Sequence, residues 1–184
     1  MSKVLLAPAG SFESLSAALA NGASGVTATE ADRATLKAAM VEVLGAVAYM
    51  LVQDGEGSSK VARIHVTGAK TEKDAEQITR TVGHSQLVKT ALYGRDGNWG
   101  RIVGAIGRAG VALDPDKVRV TLCGVELFKN GQPVADDFDN ELAGPLALRD
   151  IPIDIEVGDG NGEYTLLASD LGHEYVNVNA DYRS

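Results

Sequence analysis

Cysteine is nearly absent from this chain: Cys123 is the only one in 184 residues. No internal disulfide can form, which excludes a disulfide-stapled scaffold and makes a reducing cytoplasm the expected compartment. Thr121-Leu-Cys-Gly-Val125 reads as strand, so the thiol is expected to be buried and inert and not a nucleophile. Aromatic residues make up only 5%, and the core must therefore be built mainly from Val, Leu, Ile and Ala. Basic residues are outnumbered, 17 Lys and Arg against 25 Asp and Glu, for a formal net charge of -8. That sign argues against nucleic acid or an anionic membrane as partner. There is no unbroken apolar run of ~18 residues and no signal-peptide start, so neither a membrane span nor export is expected. The three His and one Cys have no zinc-ligand spacing. Asp136, Asp137, Asp139 and Glu141 lack the glycine and bidentate Glu of a calcium loop and read as a solvated charge run. No metal and no cofactor are expected.

What is there is a chain long enough for one sizeable core, organised around Leu87 to Gly110, which holds the only Trp. Gly94-Arg-Asp-Gly97 reads as a tight turn. Asn98 stands where an N-cap would, and Ile102, Ala105, Ile106 and Ala109 form one apolar stripe. Gly110 is placed to stop the helix. Two readings stay open: a helix N-terminus with Arg95 and Arg101 close by suits an anion, and a well-capped core helix with solvated Arg produces the same pattern.

Along the chain, Val4 to Leu6 and the segment from Ser11 read as a short β–α opening that ends at Asn21-Gly22. Thr29 is a good N-cap for a helix to about Gln53, with Leu36, Met40, Val43, Leu44, Val47 and Leu51 as a core-facing stripe and Met40 and Met50 as filler. Glu56 lies between Gly55 and Gly57, where backbone can approach a ligand closely; a turn with a solvated acid is the alternative. Ala62 to Gly68 alternates as a half-buried strand with His65 on the solvated face, and Thr71 caps a helix with Ala75, Ile78 and Val82 inward. Val118 to Leu122 and Val125 to Lys129 read as strands, and Asn130-Gly131 as a hairpin turn. Phe138 to Leu148 reads as a short helix interrupted at Gly144-Pro145. Ile151 to Val157 reads as a strand placed at an edge, or begun, by Pro152; Glu163 to Ala168 pairs back on it as a hairpin. The order α, β-α-α-β-β, a short helix, β-β and a tail is a mixed α/β (α+β) layered domain.

Three motifs carry a resemblance: Asp54-Gly-Glu-Gly-Ser-Ser-Lys60, the Leu87–Gly110 stretch, and the tail Asn177-Val-Asn-Ala-Asp-Tyr-Arg-Ser184. In that order and spacing they resemble the C-terminal part of the β chain of the ornithine acetyltransferase family, also called glutamate N-acetyltransferase. The likeness runs from about Asn21 to Ser184. It divides the chain into 1–20, a divergent or foreign β–α opening, and 21–184, the family-like C-terminal domain, and it implies a layered α/β sandwich with mixed sheets.

The resemblance implies acetyl transfer from N-acetylornithine to glutamate in arginine biosynthesis. The family's nucleophile is a threonine freed by self-cleavage, whose terminal amine activates its hydroxyl. The Met-Ala-Thr cleavage block does not occur here; the only Ala-Thr steps, at Thr29 and Thr35, suit a cap and a helix interior. No catalytic residue is therefore assigned. By motif match, Glu56 would bind the substrate's side-chain ammonium, and Asn179 and Ser184 would complete the pocket; Ser184 stands where the family usually ends in Thr. This predicts that Tyr175 to Val178 is tied down as a strand that brings the tail to Glu56. The expected ligand is an amino acid of the ornithine or glutamate type, and the expected partner an α chain or a second copy. The alternative is a non-catalytic α/β module or fragment that binds an amino acid or another chain.

Overall fold

A computed structural model describes residues 30–181; the opening segment, Thr29, Tyr182 and Ser184 lie outside them. The chain divides into two compact units, 1–47 and 48–184, and each is taken by itself.

The centre of the larger unit is β1 (Val61–Ala69). Its alternation puts Ala62, Ile64 and Val66 in the core and leaves Arg63 exposed and His65 half-buried. His65 Nδ1 pairs with Thr165 Oγ1 at 2.8 Å, so the ring is tied across the sheet and not merely solvated. Thr71 caps α2 (Glu72–Gly83), accepting from the Asp74 N–H, and Ala75, Ile78 and Val82 are buried as the stripe requires. A Cβ on Gly83 would come 2.6 Å from Leu166 Cδ2, so this residue lets α2 lie close on the sheet. Ser85 caps a further helix, α3 (Gln86–Tyr93), to which the sequence reading assigned no element. Asn98 caps α4 (Trp99–Gly107), and Ile102, Ala105 and Ile106 are buried.

The strands β2 (Arg119–Leu122), β3 (Val125–Lys129) and β4 (Gln132–Pro133) form an antiparallel meander. Both turns use two successive residues of positive φ, Cys123-Gly124 and Asn130-Gly131, the signature of tight two-residue hairpins. Cys123 is therefore in a turn, not in a strand. Next come α5 (Asp139–Leu142), a 3-10 turn at Pro145–Ala147, β5 (Asp150–Glu156), β6 (Gly162–Ser169) and α6 (His173–Asp181).

Two strand expectations are corrected. The six-stranded sheet runs β4-β3-β2-β5-β1-β6, so β5 is internal and parallel to β1, and β6 pairs with β1 instead of folding back on β5. Pro152 is tolerated inside the sheet because its carbonyl accepts from the Cys123 N–H at the hairpin turn where the β2 ladder ends; no ladder donor is needed there. The loop after β5 crosses the end of β1, and Val157 and Gly160 donate to the carbonyls of Thr67 and Gly68. Helices α2 and α4 cover the face that carries Ile64, Ile153 and Val120. The result is a mixed α/β layered domain, as the sequence predicts.

The long helix α1 (Glu30–Gln53) forms as predicted, but it buries none of its residues. Leu36, Leu44 and Leu51 are 61%, 60% and 72% exposed, and Met40 and Met50 are also exposed. They are not core filler among the described residues. Val41 joins Val43, Leu44 and Val47 as exposed apolar groups, so the helix is apolar on several sides, the pattern of one meant to be covered all round. Its length and composition alone would let it cross a bilayer, as many core helices would. Glu42 lies near its midpoint, where a carboxylate in a membrane costs roughly 3 kcal/mol. Within the larger unit its last turns are held to the sheet: Tyr49 Oη donates to Asp150 Oδ1 at 2.8 Å, and Arg149 Nη2 to the Gln53 carbonyl at 2.7 Å.

Candidate substrate site

The loop Asp54–Lys60 connects α1 to β1. The Asp54 N–H continues the helical pattern to the Met50 carbonyl, and Ser58 N–H closes a turn on Gly55. Glu56 stands exposed at its tip. Gly57 has φ +67, and a Cβ there would lie 2.3 Å from the Tyr175 backbone nitrogen and 2.7 Å from the Glu174 carbonyl carbon. The close approach that Gly57 permits is thus to the first turn of α6, a contact between two parts of the chain.

The tail segment predicted as a strand, Tyr175 to Val178, is helical. Its alternation of Tyr, Val and Val with Asn suggests a strand, but it joins no strand of the sheet, whose order ends at β4 and β6. The helical form reaches the expected place by another route. Asn179 Nδ2 donates to Glu56 Oε2 at 3.0 Å and to the Tyr175 carbonyl at 2.9 Å, although Glu56 and Asn179 are 123 positions apart. The start of α6 is fixed separately. Leu171 N–H donates to the Lys89 carbonyl, and His173 meets Tyr93 edge-on at 5.9 Å. Ser184 lies outside the described residues.

Beneath this pair lies a polar knot that the sequence reading missed. Asp170, 4% exposed, accepts from Ser59 N–H (2.9 Å), Ser59 Oγ (2.5 Å), Lys60 N–H (3.0 Å) and Ser58 Oγ (3.4 Å). Lys60, equally buried, donates through Nζ to the carbonyls of Leu146, Ala147 and Leu148 at 2.8, 3.2 and 2.6 Å. Burial, then the nearby charge of Arg95, holds its ammonium below the usual lysine value, with Asp170 opposing. The available signal was the run Ser58-Ser-Lys60 leading directly into an apolar strand: polar groups entering a core must be paired.

The loop and helix at Leu87–Gly110 do not favour an anion. Arg101 is engaged with the Leu87 carbonyl at 2.9 Å and the Thr90 hydroxyl. The hollow at the N-terminus of α4 is lined by Asp96, Asp136, Asp137 and Asp139, and Asn98 Nδ2 donates to Asp96. The core-helix reading holds. Cys123, half-buried in its turn, has its thiol pushed up by burial, with Lys60 opposing. Thr35 Oγ1 donates to the Ala31 carbonyl inside α1, the ordinary place of a helical threonine.

The ArgJ family model matches residues 11–184. The arginine biosynthesis bifunctional protein ArgJ of Nitratidesulfovibrio vulgaris is 63% identical over 166 residues, covering 90% of this chain and 42% of that protein. The protein of the same description from Chlorobium chlorochromatii is 40% identical over 169 residues, covering 91% and 39%. The crystal structure of arginine biosynthesis bifunctional protein argJ from Bacillus halodurans superposes with a TM-score of 0.79 at 26% identity, over 97% of this chain and 98% of that one. This chain spans about two fifths of the length of the curated relatives.

Proposed function

Since the chain belongs to the ArgJ family, we propose that it supplies one wall of an amino-acid pocket of an ornithine acetyltransferase, which moves acetyl from N-acetylornithine to glutamate in arginine biosynthesis. Glu56 receives the side-chain ammonium of ornithine, Asn179 orients the Glu56 carboxylate, and Ser184 closes the end of the pocket. The observation that carries this reading is the 3.0 Å bond from Asn179 to Glu56 across 123 positions of sequence. A carboxylate with one oxygen held by an amide keeps acceptor capacity for a cation, and a charge-assisted hydrogen bond to ammonium is among the stronger ones available to it. Acetyl transfer itself needs an activated nucleophile, and none is assigned in this chain. As it stands, the chain is expected to bind without turning over, and a cytoplasmic setting fits its single thiol.

The test is a titration with L-ornithine followed by calorimetry or NMR. Because Glu56 is exposed, affinity is expected to be weak, with a Kd on the order of 1 mM. Glu56→Gln should lower it at least tenfold, while L-norvaline, which lacks the terminal amine, should not distinguish the two proteins. Equal ornithine binding by both would reduce Glu56 to a turn residue. A second reading, a non-catalytic module for a partner chain, an α chain or a second copy, is favoured by one observation: α1 carries a run of exposed apolar residues from Leu36 to Leu51.

A further inference from the structure

We infer that Asp170 is the positioning residue of this pocket: its buried carboxylate locks the Glu56 loop and the start of the tail helix into the register in which Glu56 and Asn179 meet. The inference rests on the substrate reading above for its functional meaning, but not for its geometry. Asp170 sits between the end of β6 at Ser169 and the start of α6 at His173. Its hydrogen bonds run to the other segment. All four donors come from Ser58, Ser59 and Lys60, two of them backbone N–H groups at 2.9 and 3.0 Å.

The chain therefore brings three consecutive residues of one loop onto a single side chain at the β6–α6 junction, 110 positions from Lys60. Charge-assisted bonds to backbone N–H groups are stronger and more directional than neutral ones. Both sides of the pair hang from this point. Glu56 is two residues before Ser58, and its neighbour Gly57 abuts Glu174 and Tyr175. Asn179 lies little more than one turn further along the same helix. The exposed Glu56–Asn179 bond is too weak alone to order two surface segments. The buried knot fixes them first, and the pair forms within that frame. Asp170 has no route to the ligand of its own: it is 4% exposed, with both oxygens engaged.

The experiment compares Asp170→Asn and the milder Ser59→Ala in the full chain. Isotope-labelled NMR reads the Glu56 and Gly57 amides and the Asn179 side-chain amide without ligand, and ornithine titration reads affinity. Asp170→Asn keeps an acceptor for the backbone donors but cannot accept from Ser59 Oγ at the second position. The Asn179 amide is expected to move toward its solvent-exposed position in both variants, more in Asp170→Asn. Ornithine affinity should fall about tenfold, and Asp170→Asn combined with Glu56→Gln should bind no more weakly than Glu56→Gln alone. That non-additivity is what a general loss of stability would not produce. An Asn179 signal unmoved in a folded Asp170→Asn protein, or fully additive losses in the double variant, overturns the inference. If Asp170→Asn does not fold, Ser59→Ala decides by the same signal. If the native chain binds no ornithine while the Asn179 signal still follows Asp170, the substrate reading fails and the positioning role stands.

Discussion

Gly57→Ala is the substitution whose effect follows most directly from the backbone. At φ +67 an alanine pays the left-handed penalty, about 1–2 kcal/mol. Its Cβ would also sit 2.3 Å from Tyr175 N and 2.7 Å from Glu174 C, so α6 or the loop must give way by roughly 1 Å to reach ordinary contact. These are backbone atoms, and no rotamer change can relieve them. The cheaper escape is for α6 to lift, since it buries none of its residues. Lifting forfeits the Asn179–Glu56 hydrogen bond, about 1 kcal/mol, and the Tyr93–His173 edge contact, about another 1 kcal/mol. With the φ penalty included, lifting gives a destabilisation of about 3–4 kcal/mol and a fall in Tm of about 12 °C for a unit of this size. Calorimetry measures the first, and amide exchange along His173–Asp181 reports the second. Gly104→Ala is the control: Gly104 lies in α4 with nothing within 4 Å of its would-be Cβ, and alanine there should stabilise by about 0.5–1 kcal/mol. A Gly57→Ala protein with unchanged Tm and unchanged α6 exchange would refute the argument.

Leu44→Asp should change the stability of this chain by no more than about 1 kcal/mol, since Leu44 is 60% exposed; a collapse on urea titration would mean that the residue is covered in solution. Cys123 should alkylate with a pH midpoint above that of the same chain in urea, about 8.5, because burial favours the protonated thiol. By linkage, the folded state holds this proton more tightly, so its contribution to stability is full below the unfolded value and is lost as pH rises through the folded one. A native midpoint at or below the unfolded one would show that Lys60 outweighs burial.

Local signals in the sequence were reliable where the physics is local. Thr71 and Asn98 cap the helices they were expected to cap, because a side-chain oxygen and a free N–H three residues on suffice. Asn130-Gly131 turns as its φ preferences require. The pairing of β6 was not legible: a turn between two strands suggests a hairpin, and nothing near Gly158–Gly162 says that β1, about ninety positions earlier, will come between them. The environment of α1 was not legible either, since a stripe of Leu and Val states what a helix needs to cover and not whether it is covered. The meeting of Glu56 with the tail came from motif resemblance, and its means was misjudged: a helix docked against Gly57 delivers Asn179, not a strand. Asp170 passed unremarked because a single Asp in sequence carries no mark of burial, and Lys60 entered only as the end of the Asp54–Lys60 motif.

The placement of β1 between β5 and β6 has a consequence for how the chain is made. β1 leaves the ribosome roughly ninety residues before the strand it pairs with in parallel, and about a hundred before β6; at roughly 5–20 residues per second it waits many seconds with both edges open. Only the helices and the β2–β4 meander, whose contacts are near in sequence, can settle in that time. The partners of β1 arrive in chain order, β5 and then β6, and the sheet is complete only once Ser169 has emerged. The same event delivers Asp170 to the Ser58–Lys60 loop, because this residue immediately follows β6. Completion of the sheet therefore sets the stage for the Glu56–Asn179 pair, and a chain cut short of β6 is expected to lack it.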